Sequence, residues 1–312
     1  MSKRVNYALF AVVVLAALLL PLTSNDYLIQ VATGIAMYAA LASSWNLIGG
    51  LTGYPSFGNV AFFGLGAVLA AALSVNLHWP YIDAALAAVL GSGLFGLVLG
   101  LPLLRLRGHY FSIATLALAE ATMAVVTNVN FLGGGQGFSL PLLGSGKIFY
   151  YLMLGIAVLA AAGTYLIINS HFGNILLAIK SDELAAQSVG VNTVLAKSTA
   201  FALSAVLGAM VGVVYALWQS YIDPPTVFDP GITVFMLVMT LMGGAGTVAG
   251  PVLGAVIIGV LTQLAMSFSK NASSLLLGLG IMAVVLFLPR GILGVHRPAK
   301  GGERRGARPL RG

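Results

Sequence analysis

The sequence has no cysteine, only four histidines and very little charge: Lys, Arg, Asp and Glu together make up 7% of 312 residues. Without cysteine there is no disulfide framework and no thiol chemistry. Four scattered histidines do not form a metal-ligand cluster. Soluble domains carry about 25% charged residues, and a water-exposed surface cannot be built from so few. Catalytic patterns are missing too. There is no G-x-S-x-G, no H-E-x-x-H, no pair of intramembrane aspartates and no Walker A sequence. A membrane-embedded Ser/His enzyme would need a histidine at membrane depth, and none of the four qualifies.

What is present is apolar. Hydrophobic residues make up 59% of the chain and the mean hydropathy is +0.99. That composition predicts an all-α polytopic membrane protein, with one transmembrane domain over residues 1–290 and a basic tail, 291–312, expected to be disordered. Apolar runs near 20 residues give about ten segments, some short or broken. They lie at 5–22, 27–48, 57–77, 81–104, 110–127, 148–168, 198–219, 232–242, 251–266 and 274–288. The first follows Lys3-Arg4 as a signal peptide would, yet its run is too long for an h-region and no A-x-A site follows, so it reads as a retained span. The 39 glycines point to close helix contacts and helix breaks.

Charge placement sets the expected orientation. With the N-terminus inside and the segments alternating, Lys3, Arg4, Arg105, Arg107, Lys180, Lys197, Arg290 and the tail are all cytoplasmic, and only Lys147 and Lys270 fall outside. This obeys the positive-inside rule, so both termini are expected in the cytoplasm. The tail, with Arg297, Lys300, Arg304, Arg305, Arg308 and Arg311, reads as a topology anchor touching anionic lipid rather than a nucleic-acid arm.

Two Gly-rich stretches, "GGLTGYPSFGN" (49–59) and "GGAGTVAG" (243–250), interrupt apolar segments on the same expected side. No strand precedes 243–250, so it reads as a helix break rather than a dinucleotide loop, and 49–59 reads as a second such break. Transporters place broken helices beside cavities, where freed backbone groups find partners. Glu120 is the only acid well inside an expected span. It lies about 15 Å deep at 1.5 Å per residue, and ionised it costs about 2.5–3.5 kcal/mol on insertion scales. The reading is a functional position facing the bundle interior. A protonated structural acid is the alternative. Asn46 and Asn59 read as interhelical hydrogen-bond partners.

Inside the expected cytoplasmic loop 170–197 lies "AIKSDELAAQSVGVN" (178–192), an island of charge. Ser181 suits an N-cap, Asp182 and Glu183 suit the first turn, and Gly190 suits a C-terminal stop. The bracketed helix, 182–189, is too short to stand alone in water. Its acidic start disfavours a lipid surface, whose helices want cationic polar faces, and favours a protein partner.

Four stretches carry a family resemblance: "GGLTGYPSFGNVAFFGLGA", "LRLRGHYFSIATLALAE", "FGNILLAIKSDELAAQSVGVN" and "LMGGAGTVAGPVLGA". In this order they resemble the permeases of ABC importers, in particular the LivM-type permeases of branched-chain amino-acid importers, over roughly residues 30–290. Glu183, Ala185, Ala186 and Gly190 match the family's E-A-A-x-x-x-G docking pattern, with Leu184 as an extra residue that changes the register.

The resemblance implies a permease in a bacterial or archaeal plasma (inner) membrane. It implies a second related permease, two cytoplasmic ATPase subunits that bind ATP and Mg, and an external substrate-binding protein. This chain itself would hold no cofactor or metal and would be no enzyme. Lys180 and Asp182 join the docking residues. Glu120, Asn46, Asn59, Gly53, Pro55 and Ser56 are the expected path residues. Gln136, Asp223 and Asp229, on the Gly/Pro-rich outer loops, are expected to meet the binding protein. Leucine, isoleucine and valine are the implied cargo, with urea, short amides or other amino acids as alternatives. An ion-coupled secondary carrier is disfavoured because no deep charge pairs or acid–histidine relay appear.

Overall fold

The computed structural model describes residues 25–141 and 146–268, with two isolated positions, 278 and 292. Its architecture is helical. α1 is Asp26–Trp45, continued by a π turn, Asn46–Gly50. α2 is Asn59–Asn76, α3 Tyr81–Leu103 and α4 His109–Asn128. β1 is Phe138–Ser139 and α5 is Gly146–Ile168. Two short helices follow, α6 at His171–Ser181 and α7 at Glu183–Ser188. Then come α8, Thr193–Gln219, β2, Tyr221–Ile222, α9, Pro224–Val227, α10, Pro230–Gly243, and α11, Ala249–Phe268.

Seven helices among the described residues are long and apolar enough to cross a membrane: Asp26–Gly50, Asn59–Asn76, Tyr81–Leu103, His109–Asn128, Gly146–Ile168, Thr193–Gln219 and Pro224–Gly243. They correspond to the second through eighth expected segments. The eighth is longer than its pattern suggested, because Pro224 and Pro230 each open a helical turn in front of it, the position a proline tolerates best. The ninth forms α11, whose apolar part, Ala249–Leu264, is shorter. The first expected segment, and all of the tenth segment and the basic tail except positions 278 and 292, lie outside the described residues.

Local sequence sets the helix starts. Asn25 accepts from the Tyr27 and Leu28 amides, Asn192 from Leu195 and Asp229 from Gly231, each capping otherwise orphaned donors. α8 is the axis of the bundle, packed along α2 and α3 and touching α1 and α5. Small residues allow that approach: a Cβ on Gly212 would lie 2.0 Å from the Phe63 carbonyl oxygen of α2.

Two large apolar clusters fill most of the interior, with a small third at Ala70, Ala88 and Val213. One gathers Trp45, Phe63, Met153, Phe228 and Met236. The other gathers Leu47, Ile48, Phe62, Phe111 and Phe201, and it includes Leu176, Ile179 and Ala186 from the short helices. α6 and α7 are thereby fastened to the bundle.

The two ends of the bundle differ in what they carry. At one, the lid end, β1 and β2 pair antiparallel, with Phe138 opposite Ile222 and Ser139 opposite Tyr221. This joins the two Gly/Pro-rich loops that the sequence reading expected on the outer side. At the other, the loop end, lie both helix breaks and the α6–α7 unit. The Ile292 amide, at the start of the basic tail, donates to the Met242 carbonyl at 2.8 Å, so that position meets the same end.

Candidate functional site

The loop end holds the most concentrated polar chemistry among the described residues. It starts where α1 loosens into a π turn after Trp45, a device that re-aims side chains within a helix. Asn46, fully buried, turns toward the second break. Its Oδ1 accepts from the Gly246 amide at 2.8 Å and its Nδ2 donates to the Thr247 carbonyl at 2.9 Å. One side-chain amide thus satisfies a donor and an acceptor of the break between α10 and α11. Below it, the Lys180 ammonium donates to the Gly50 carbonyl at 2.6 Å. The two Gly-rich breaks, about 200 residues apart in sequence, and the end of α6 share one junction.

Beyond Gly50 the chain runs past Thr52 into a non-helical stretch, pinned from both sides. The Trp45 indole donates to the Ser56 carbonyl at 2.7 Å. From α4, the Ser112 hydroxyl donates to the Pro55 carbonyl at 2.7 Å, and the Thr115 hydroxyl accepts from the Phe57 amide at 3.0 Å.

α7 is built by its two ends. The cap is Asp182, not Ser181 as the pattern suggested. Ser181 still belongs to α6, and its hydroxyl donates back to Leu177. The Asp182 carboxylate accepts from the Leu184 and Ala185 amides at 2.9 and 3.0 Å. At the far end Gly190, with φ +87°, donates to Gln187 while Val191 donates to Ala186. These two bonds form a Schellman closure, which favours glycine because other residues are strained at positive φ.

The faces of α7 divide cleanly. Glu183 and Ala186 turn into the bundle, whereas Leu184 is 62% and Val189 78% exposed. Glu183 Oε1 accepts from the ammonium of Lys197, a residue of α8 only 1% exposed, at 2.7 Å. Oε2 accepts from the Tyr54 hydroxyl. The Lys197 ammonium also sits 4.1 Å from the centre of the Tyr54 ring. Burial works to raise the Glu183 pKa, but hydrogen bonds from Lys197, Tyr54 and Thr193 and the lysine charge outweigh it and hold the carboxyl below its usual range. Burial first, and the bond to Glu183 second, push the Tyr54 phenol up. Gln187 adds a polar link, accepting from Arg107 at 3.3 Å and donating to Thr193 at 2.8 Å. A cleft of about 230 Å³ opens between the first break and the α6–α7 corner, lined by Gly53, Tyr54, Pro55, Lys180, Asp182 and Glu183 among others.

Among the docking residues picked from sequence, Ala185 is exposed, Asp182 caps, Glu183 and Ala186 face inward, Gly190 closes α7 and Lys180 reaches the first break. Of the path residues, Gly53 and Pro55 line the cleft, while Asn46, Ser56 and Asn59 are buried tie points. Asn46 and Asn59 do not bond each other. Asn59 donates to the Ser204 hydroxyl of α8 at 2.7 Å. Glu120 does not face the bundle interior. α4 buries Phe111, Thr115, Ala119, Thr122 and Val126, and Glu120 stands on the opposite, exposed face.

At the lid end, the Gln136 carbonyl accepts from the Tyr221 hydroxyl at 2.9 Å, which brings the Gln136 loop beside Asp223, whereas Asp229 caps α10. Sequence reading missed Tyr54, Gln187 and Lys197 as members of the site. Lys197 registered only as a loop charge, and its one clue is that it lies within the first turns of an apolar helix. Among the described residues no three His, Asp or Glu side chains come together as a metal site.

Residues 27–286 match the family described as "Branched-chain amino acid transport system / permease component". The chain is similar to the high-affinity branched-chain amino acid transport system permease protein LivM of Salmonella typhimurium, at 27% identity over 89% of this chain and 73% of that protein. It is similar to the probable branched-chain amino acid transport permease protein LivM of Methanocaldococcus jannaschii, at 24% identity over 86% of this chain and 94% of that protein. LivH of Salmonella typhimurium is related at 22% identity over 86% of this chain and 96% of its own length. The chain is a multi-pass membrane protein and belongs to the branched-chain amino acid transport permease family, with LivM-type likeness along most of its length.

Proposed function

We propose that this chain is a membrane subunit of an ATP-driven ABC importer that moves branched-chain amino acids delivered by an external binding protein. The loop end then faces the cytoplasm, as the cluster of Arg105, Arg107, Lys180 and Lys197 there favours. α7 is the part that two partner ATPase subunits, carrying ATP and Mg, would push. A second, related permease completes the pore, and the lid end, with Gln136, Asp223 and Asp229, receives the loaded binding protein. The membrane is the bacterial or archaeal inner membrane.

The observation that carries this reading is the wiring of α7. Its outward side offers Leu184 and Val189 to a partner, while its inward side is tied by Glu183 to α8 through Lys197 and to the first break through Tyr54. Lys180 and Asn46 continue the tie to the second break. A displacement of α7 therefore reaches both breaks and the central helix through short, part-buried bonds, the kind of connected network through which coupling is transmitted.

The test is reconstitution of the complete transporter in liposomes with its binding protein. The expected result is leucine uptake that needs ATP and all subunits and that competes poorly with urea. Uptake of urea or an amide in place of leucine would reassign the cargo. Uptake by this chain alone on a proton or sodium gradient would overturn the ABC reading.

A further inference from the structure

α3 and α4 both present an outward face at membrane depth, and the two faces are chemically unlike. The stripe on α3 is Ile82, Leu86, Leu90, Leu94 and Val98, every fourth residue, each between 54% and 75% exposed. Five large aliphatic side chains in a row are what a helix shows to lipid. The corresponding face of α4 mixes Tyr110, Ile113 and Val125 with Ala117, Glu120, Ala121, Ala124 and Asn128, all exposed. Ala117 and Ala121 are spaced four apart, a small-xxx-small pattern that lets another helix approach closely. Between them stands a carboxyl group.

Glu120 lies near the middle of a 20-residue helix, so either end of the bundle is about 15 Å away at 1.5 Å per residue. Among the described residues no side chain bonds it, and its own helix turns it away from α2. A carboxyl group at that depth is not left to hydrocarbon. It faces protein or enclosed water. Neither an ATPase at one end of the bundle nor a binding protein at the other reaches the mid-span. Among the described residues no segment of this chain covers it, whereas a second membrane-embedded chain reaches that depth.

We propose that the outward face of α4 is the seam between this chain and a second permease-type chain, with the Glu120 carboxyl inside that seam rather than in lipid. The inference rests on the two-permease assembly proposed above and adds which face makes it. The partner chain supplies hydrogen-bond donors at that depth, or encloses water there. The α3 stripe remains the lipid face.

Photo-crosslinking in membranes of cells expressing the whole transporter tests this. A benzophenone amino acid is placed at Ala117 or Ala124, and as controls at Leu90 or Leu94. The expected result is a product from the α4 positions that contains peptides of a second permease-type chain, with lipid adducts alone from the α3 positions. Lipid adducts alone from α4, or the permease product from α3 instead, would overturn it. In parallel, Glu120→Leu is expected to reduce recovery of the second permease on affinity purification several-fold, while Glu120→Gln keeps it. Full recovery with Glu120→Leu, which suits lipid better than the native acid does, would count against the seam. ATP-driven uptake by the unmodified transporter in the same membranes separates the two failures. If uptake is present and α4 does not crosslink, only the seam is wrong. If uptake is absent, the functional reading fails with it.

Discussion

The loop end and the lid end of the bundle are closed by different materials. At the loop end the closures are side chains: Asn46 to the second break, Lys180 to the first, and Glu183 between Lys197 and Tyr54. At the lid end they are mostly backbone. β1 pairs with β2, the Leu140 amide donates to the Ser220 carbonyl at 2.7 Å, and the Tyr221 hydroxyl and the Asn76 amide both reach carbonyl oxygens. Backbone closures survive most substitutions because they do not depend on which side chain is present. Side-chain closures fail one residue at a time. The loop end is therefore the sensitive end of the molecule, and the lid the tolerant one.

The strongest way to break this contrast is at Lys197. Lys197→Ala leaves the partly buried Glu183 carboxylate without its cation; breaking a fully buried pair costs about 3–5 kcal/mol, an upper bound for a carboxylate that keeps some exposure. Thermal unfolding in detergent is expected to shift down by a corresponding amount, and coupled uptake to be lost. Asn46→Ala comes next. It removes both bonds to the second break, at about 0.5–1.5 kcal/mol each with a further cost for the groups left unpaired. Uptake should fall while assembly with the ATPases, measured by co-purification, is kept.

Gly190→Ala forces a side chain into positive φ, at about 1–2 kcal/mol. Its expected effect is local: looser protection of α7 amides in hydrogen exchange and partial uncoupling of ATP hydrolysis from uptake. At the lid, Tyr221→Phe removes one exposed hydrogen bond, at no more than about 1 kcal/mol. Unfolding temperature and maximal uptake should be nearly unchanged. A loss at Tyr221 as large as that at Lys197 would erase the difference between the ends.

The smallest effect is expected from pH. The Glu183 carboxyl is held below its ordinary value of 4.5. A group depressed in the folded state contributes stability that is fully present above the unfolded pKa and is lost as pH falls through the folded one. The unfolding-temperature gap between the native chain and Glu183→Gln should then stay constant from about pH 5 to pH 8, and should narrow only in stronger acid. A gap that closes near neutrality would mean the carboxyl is not paired as the structure has it.

Long apolar runs made the helices legible, because period and length speak directly to membrane burial. α3 and α5 begin and end close to the limits read from sequence. The caps were less so. Ser181 and Asp182 are both good N-cap residues; in the structure Ser181 closes α6, its hydroxyl donating to Leu177, and Asp182 takes the cap. The Glu183–Lys197–Tyr54 set was not legible, since its members are 14 and 129 positions from Glu183 and only the packing of α7 on α8 brings them together. Glu120 shows the other limit. Composition says that an acid within a span avoids lipid, but not whether its own bundle or a neighbour provides the shelter.

One residue separates α6 from α7. Asp182 is extended, with φ −161° and ψ 108°, while the helices on either side are regular. α7 is thus a rod of about 9 Å at 1.5 Å per residue, hinged at Asp182, with Glu183 beside the hinge and Val189 at its far tip. On the proposed function, a push on the exposed Leu184–Val189 side of this rod acts as on a reducing lever: a larger displacement near Val189 becomes a smaller one at Glu183 and its ion pair with α8. Coupling through α7 is, on that reading, geared toward force rather than travel.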